Sequence, residues 1–139
     1  MANDVFPELQ ALAARLIAMP PVEAGASALP TVYGYVWAEH PKPAYIEACA
    51  DVLTWWSVAR GLRLSVVFRD IGLKPDALIR PGFTAATDVL QLPDVDGLLV
   101  LTRRHLSTEP SVADRLALEV RRTGTTLRVL TDELGEADS

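Results

Sequence analysis

The sequence predicts an α/β domain: three layers, with a mainly parallel four-stranded sheet of order 2-1-3-4 and an N-terminal helix ahead of it. Two observations carry this. From residue 31 onward, four β-branched or alternating segments are separated by three segments with apolar residues at helical spacing, and each parallel crossover needs such a helix. The 139 residues are about one domain's worth of chain, and 50% apolar with 22% charged content is the balance of a globular protein.

In residues 7–19, Leu9, Leu12, Ala13, Leu16 and Ile17 recur at i, i+3, i+4, i+7 and i+8, the stripe of an amphipathic helix, with Pro7 tolerated in the first turn. Pro20 and Pro21 end it, and the small, aperiodic residues up to 30 read as a connector. Residues 1–30 are thus a helix and linker, and residues 31–139 the domain. The helix is expected to pack on the domain, its own or a neighbour's, through its apolar stripe.

Within the domain, residues 31–38 are β-branched and aromatic, a first strand. Residues 41–60 carry Tyr45, Ile46, Cys49, Val52, Leu53 and Trp56 on one helical face, stopped by Gly61. Trp56 lies on that stripe and reads as core, whereas Trp55 is rotated off it. Residues 62–70 alternate into a second strand. Residues 82–92 place Phe83, Ala86, Val89 and Leu90 at helical spacing, and 97–103 form a third strand. Residues 111–123 carry Ala113, Leu116, Ala117 and Val120 on one side, closed by Gly124, and 125–132 read as the last strand. The tail from Gly135 is expected to fray.

Composition narrows the function. Thirteen Lys and Arg against eighteen Asp and Glu give a net charge of −5 and a pI near 4.9, a field that repels a polyanion, so autonomous DNA binding is not expected. The single cysteine, Cys49, forms no internal disulfide, and with only His40 and His105 beside it no zinc-type spacing exists. Neither a metal nor a cofactor is expected. No apolar run approaches the ~20 residues that span a bilayer, and the acidic start lacks a basic leader, so a cytoplasmic protein with no membrane association is expected. No GxGxxG, GxxxxGK[ST] or GxSxG is present, which argues against the familiar phosphate loops and a nucleophile elbow.

In an open sheet of this order, ligands gather at the carboxyl ends of the strands, beside the switch point between the first and third. There the sequence offers Glu39 and His40 after the first strand, Asp70 and Arg80 after the second, and Arg103, Arg104 and His105 after the third. Glu39, His40, Arg80, Arg103, Arg104 and His105 are therefore the candidate binding residues, with a preference for anions from the three guanidiniums. Polar residues also collect at strand exits simply because loops are solvated, so the convergence alone decides nothing. Ser107, just before a helix, reads as a hydroxyl satisfying backbone donors.

The order of local motifs resembles the catalytic domain of the serine recombinases, the resolvase/invertase family, over residues 32–132. Val32-Tyr33-Gly34-Tyr35-Val36 resembles its first strand, Val67-Phe68-Arg69-Asp70-Ile71-Gly72 its second strand and loop, and Arg80-Pro81-Gly82-Phe83 its Arg-Pro-Gly-Leu helix start. Asp94-Val95-Asp96-Gly97-Leu98-Leu99-Val100 is similar to the Gly-Asp-x-Val-Val-Val strand, and Leu106-Ser107 to part of Leu-Asp-Arg-Leu-Ser-Arg. The resemblance implies a resolvase-like fold.

The departures fall on the chemistry. Where the family reads Tyr-x-Arg-x-Ser, with a phosphate-gripping arginine and the serine that links covalently to DNA, this chain reads Tyr35-Val36-Trp37-Ala38-Glu39. The family's Asp-Arg-Leu-Ser-Arg reads Arg104-His105-Leu106-Ser107-Thr108. Of the arginines around the phosphate, the resemblance clearly retains Arg80. Phosphoryl transfer needs an in-line nucleophile and cations facing the phosphate oxygens, and Glu39 supplies neither. Neither the family's long dimer-forming helix nor its DNA-binding helix-turn-helix is expected within residues 133–139. The expectation is a catalytically inactive recombinase-like domain serving as a protein-interaction or regulatory module, its partner another protein or itself in a homo-oligomer. The alternatives are a small-ligand, anion-binding or enzymatic domain that uses the switch-point edge, or an accessory to recombination through a partner.

Overall fold

The structure, a computed structural model, describes residues 7–18 and 29–134. Its elements run α1 (Pro7–Ile17), β1 (Thr31–Ala38), α2 (Pro43–Ala59), β2 (Arg63–Ile71), α3 (Pro81–Val89), β3 (Val95–Val100), a 3-10 turn at Arg103–His105, α4 (Pro110–Arg122), β4 (Thr126–Val129) and α5 (Leu130–Glu133). Most of the connector and the tail from Gly135 lie outside the described residues.

The four strands pair in the order β2-β1-β3-β4, all parallel. Because strand side chains alternate between faces, β1 feeds two cores. Val32 and Val36 join Ile46, Cys49, Leu53 and Trp56 of α2, together with Leu9, Ala13 and Leu16 of α1 and Leu130 of α5. Tyr35 and Trp37 join Phe83 and Ala86 of α3, with Val112, Leu116 and Val120 of α4. The sheet is therefore covered on both sides, as the alternating pattern predicts. β3 and β4 approach so closely that a Cβ on Gly97 would lie 2.1 Å from the Thr126 carbonyl oxygen, which only glycine accommodates.

α1 lies against α2 of its own chain, with Leu9, Ala13 and Leu16 buried and Leu12 partly so; the side chain of Ile17, the fifth residue of the stripe, lies outside the described residues. Trp56 is fully buried between the guanidiniums of Arg60 and Arg128, whose carbon atoms stand 5.8 and 6.0 Å from its ring centroid, whereas Trp55 is exposed.

Three elements end three residues before the sequence pattern places their ends. The last strand ends at Val129 instead of 132, because the buried Leu130 turns the chain into α5, where Arg128 reaches Glu133 at 3.5 Å and the Thr131 amide donates to the Leu101 carbonyl at 3.2 Å. The third strand runs Val95–Val100 and not 97–103, since the Thr102 side chain accepts the Arg104 amide and starts the 3-10 turn. α3, expected over residues 82–92, stops at Val89, with Leu90 as its cap. Among the described residues no helix is long and apolar enough to cross a membrane.

Candidate functional site at the switch point

β1, β2 and β3 deliver their carboxyl ends side by side, with Trp37 of β1 in register with Asp70 of β2. Arg80 directly precedes α3, its own side chain does not cap the helix, and Pro81 opens the first turn. The first-turn amides of a helix lack intrahelical acceptors. Asp70, itself buried, supplies them: Oδ1 accepts the Gly82 N–H at 2.8 Å, and Oδ2 accepts the Phe83 N–H and the Tyr35 hydroxyl, each at 2.8 Å.

Arg80 is equally committed. It is 1% exposed, and its Nε donates to the Ala77 carbonyl at 2.8 Å while Nη2 donates to the Pro75 carbonyl at 3.2 Å. Nη1 donates to the Leu106 carbonyl and lies 3.4 Å from the Tyr35 hydroxyl, and the guanidinium carbon stands 5.2 Å from the Trp37 ring centroid. Trp37 in turn donates its indole N–H to the Leu73 carbonyl at 3.0 Å. Arg80 thus clamps the loop after β2 to the segment after the 3-10 turn.

Of the six expected binding residues, the structure gathers four. Glu39, His40, Arg104 and His105 line one open cleft of about 440 Å³, together with Trp37, Ala38, Lys42, Tyr45, Thr108 and Glu8 of α1. The three arginines do not converge on it. Arg80 is turned inward onto backbone carbonyls, and Arg103 pairs with Asp114 of α4. Arg104 alone of the three faces the cleft, and the carboxylates of Glu8 and Glu39 offset it and Lys42. The net positive pocket expected from the sequence is not assembled. A larger hollow of about 610 Å³ lies at the opposite edge, beside Thr31, Arg63 and Val95, the first residues of their strands.

His105 is 4% exposed, and its Nε2 is 3.2 Å from the Tyr45 hydroxyl; its Nδ1 has no partner among the described residues. Burial pushes its pKa down to about 4, so the ring is neutral near pH 7. Burial also raises the Tyr45 hydroxyl above its ordinary value, which keeps it protonated. Among the described residues neither serine nor cysteine lines the cleft. Ser107 is buried, donating its hydroxyl to the Pro75 carbonyl at 2.6 Å and accepting the Glu109 amide at 3.0 Å, the backbone role its position suggests. Cys49 is fully buried, and burial pushes its thiol up to about 11. No group of three or more His, Cys, Asp or Glu side chains is placed to hold a metal ion among the described residues.

Tyr45, Lys42 and Glu8 were not apparent from the sequence. Tyr45 sits on the apolar stripe of α2 and reads as core, and nothing in α1 says which end of the sheet it reaches. Lys42, set between Pro41 and Pro43, carried the one available signal: a loop cation fixed at a helix start.

No protein-family model matches the sequence, and no curated protein is detectably similar to it. Solved structures do match. The N-terminal catalytic domain of TP901-1 integrase superposes with a TM-score of 0.65 at 21% identity, covering 77% of this chain and 84% of that one. The C-terminal catalytic domain of ISC1926 TnpA, an IS607-like serine recombinase, gives 0.63 at 17%, covering 72% and 70%. The chain has the serine recombinase catalytic-domain fold. A third match, the first ORF of transposon ISC1904 from Sulfolobus solfataricus P2, gives 0.55 at 15%, covering 71% and 66%. In this recombinase fold, Trp37 stands near the end of β1, Glu39 follows that strand directly, and Arg80 directly precedes α3.

Proposed function

We propose that this chain is a recombinase-fold domain that does not cleave DNA and that works in a recombination-related setting by binding another protein or a second copy of itself, in the cytoplasm. The observation that carries the reading is the end of β1. Where the motif resemblance places an arginine and a nucleophilic serine, a buried indole tied to the Leu73 carbonyl and the Glu39 carboxylate stand instead. The one corresponding arginine, Arg80, spends its donors on backbone carbonyls. A carboxylate facing a phosphodiester is repelled by ~1–4 kcal/mol at 4 Å for dielectrics of 80 to 20, and loss of a covalent nucleophile costs roughly 10⁶ in rate. Incubation with supercoiled DNA followed by denaturation tests this. Neither nicks nor protein-linked DNA are expected; adducts that vanish in a Glu39→Ala variant overturn the reading.

A second reading, that the switch-point edge takes a small ligand, is favoured by the cleft that brings Glu39, His40, Arg104 and His105 together.

A further inference from the structure

Resting on that second reading, we propose that the ligand of the cleft is a small zwitterion: a free α-amino acid with an apolar side chain. Four formally charged side chains line the cleft, two of each sign: Glu8, Glu39, Lys42 and Arg104. Among the described residues none of these four pairs with another within 4.0 Å; the one ionic contact any of them makes is Glu39 Oε1 to His40 Nε2 at 3.9 Å. Elsewhere on the surface opposite charges do meet, as in Arg69–Glu47, Arg103–Asp114 and Arg128 with both Asp96 and Glu133. The cleft therefore presents two cations and two carboxylates that have not neutralised one another.

A purely anionic ligand would be drawn to Lys42 and Arg104 and repelled by Glu8 and Glu39, and a purely cationic one the reverse. A molecule with an ammonium and a carboxylate gains from both pairs at once. His105 adds no charge to this balance, because burial keeps its ring neutral. The volume, about 440 Å³, falls in the range of small-molecule sites, roughly 300–1,000 Å³. The half-buried Tyr45 ring and the Ala38 methyl give an apolar side chain a surface to lie against.

The test is calorimetric titration and thermal unfolding of the full chain with phenylalanine and leucine, beside the one-charge analogues phenethylamine and 3-phenylpropanoate, and inorganic sulfate. The amino acids alone are expected to bind and to raise the melting temperature. Glu39→Gln and Arg104→Gln should each weaken that binding by on the order of tenfold without moving the melting temperature of the unliganded protein, since both side chains are exposed. Equal binding of sulfate or of a one-charge analogue overturns the zwitterion and leaves the cleft as a ligand site of one sign. Amino-acid binding unchanged in both variants also overturns it. No binding by any probe overturns both this inference and the ligand reading on which it rests.

Discussion

The Tyr35 hydroxyl donates to Oδ2 of Asp70 at 2.8 Å, joining β1 to the carboxyl end of β2. The same carboxylate takes the first amides of α3, so one side chain ties three elements together under the switch point. Hydrogen bonds to charged groups contribute ~1.5–3 kcal/mol, and buried donors left unpaired add a penalty. Asp70→Ala should therefore lower the unfolding free energy by about 2–4 kcal/mol in urea titration, and Tyr35→Phe by about 1–2 kcal/mol. A change below about 0.5 kcal/mol for Asp70→Ala, the range of inert surface substitutions, would contradict this role.

Arg80 makes the complementary prediction. Its removal leaves the carbonyls of Pro75, Ala77 and Leu106 without their shared donor. Arg80→Ala should cost about 3 kcal/mol of stability. Arg80→Lys should recover little of it, because an ammonium lacks the planar fork that reaches several acceptors. If Arg80→Lys folds as stably as the parent, the guanidinium is not a clamp.

His105 sets a pH dependence. Its folded pKa is lowered to about 4 from 6.5 by burial, so between those values the unfolded chain binds more protons than the folded one. Stability must then rise with pH across that window, and the contribution is lost as pH falls from 6.5 toward 4. At ~1.36 kcal/mol per unit the full window amounts to on the order of 3 kcal/mol. Denaturation curves across pH 4–7 should show this slope, and His105→Gln should flatten it. An equal slope in the variant would place the titration elsewhere.

Leu16 tests the seat of α1. The side chain is 1% exposed, in the core that also holds Ile46 and Leu53. Leu16→Ala should cost about 2–5 kcal/mol, as buried leucines do, and deletion of residues 1–18 should lower the melting temperature. Unchanged thermal unfolding in both would mean that the helix contributes nothing to the fold.

The alternation of strands and helices and both apolar faces were legible because periodicity is local: Tyr35 and Trp37 alternate with Val36, and Leu116 follows Ala113 by one turn, whereas the strand order rests on pairings between distant residues such as Thr31 and Val95. Element ends were less so, since the turn at Leu130 depends on contacts to Leu101 and on Arg128 reaching Glu133, which no window of sequence contains. The candidate site divided along the same line. Glu39, His40, Arg104 and His105 follow from strand exits alone. The inward turn of Arg80 and the pairing of Arg103 with Asp114 are matters of side-chain direction, and the arrival of Glu8 depends on how a separate helix docks.

The all-parallel pairing also governs how the chain must fold. No two adjacent strands are joined by a hairpin, and the central pair sets Thr31 beside Val95. Loop closure across such separations precedes any gain from the ladder, so the sheet cannot zip from a turn. Helices α2 and α4, whose backbone hydrogen bonds are local, can form in microseconds or less, while the β1–β3 register waits on collapse. Folding should be paced by that one long-range encounter, and the strands, not the helices, should be the last to gain protection from hydrogen exchange.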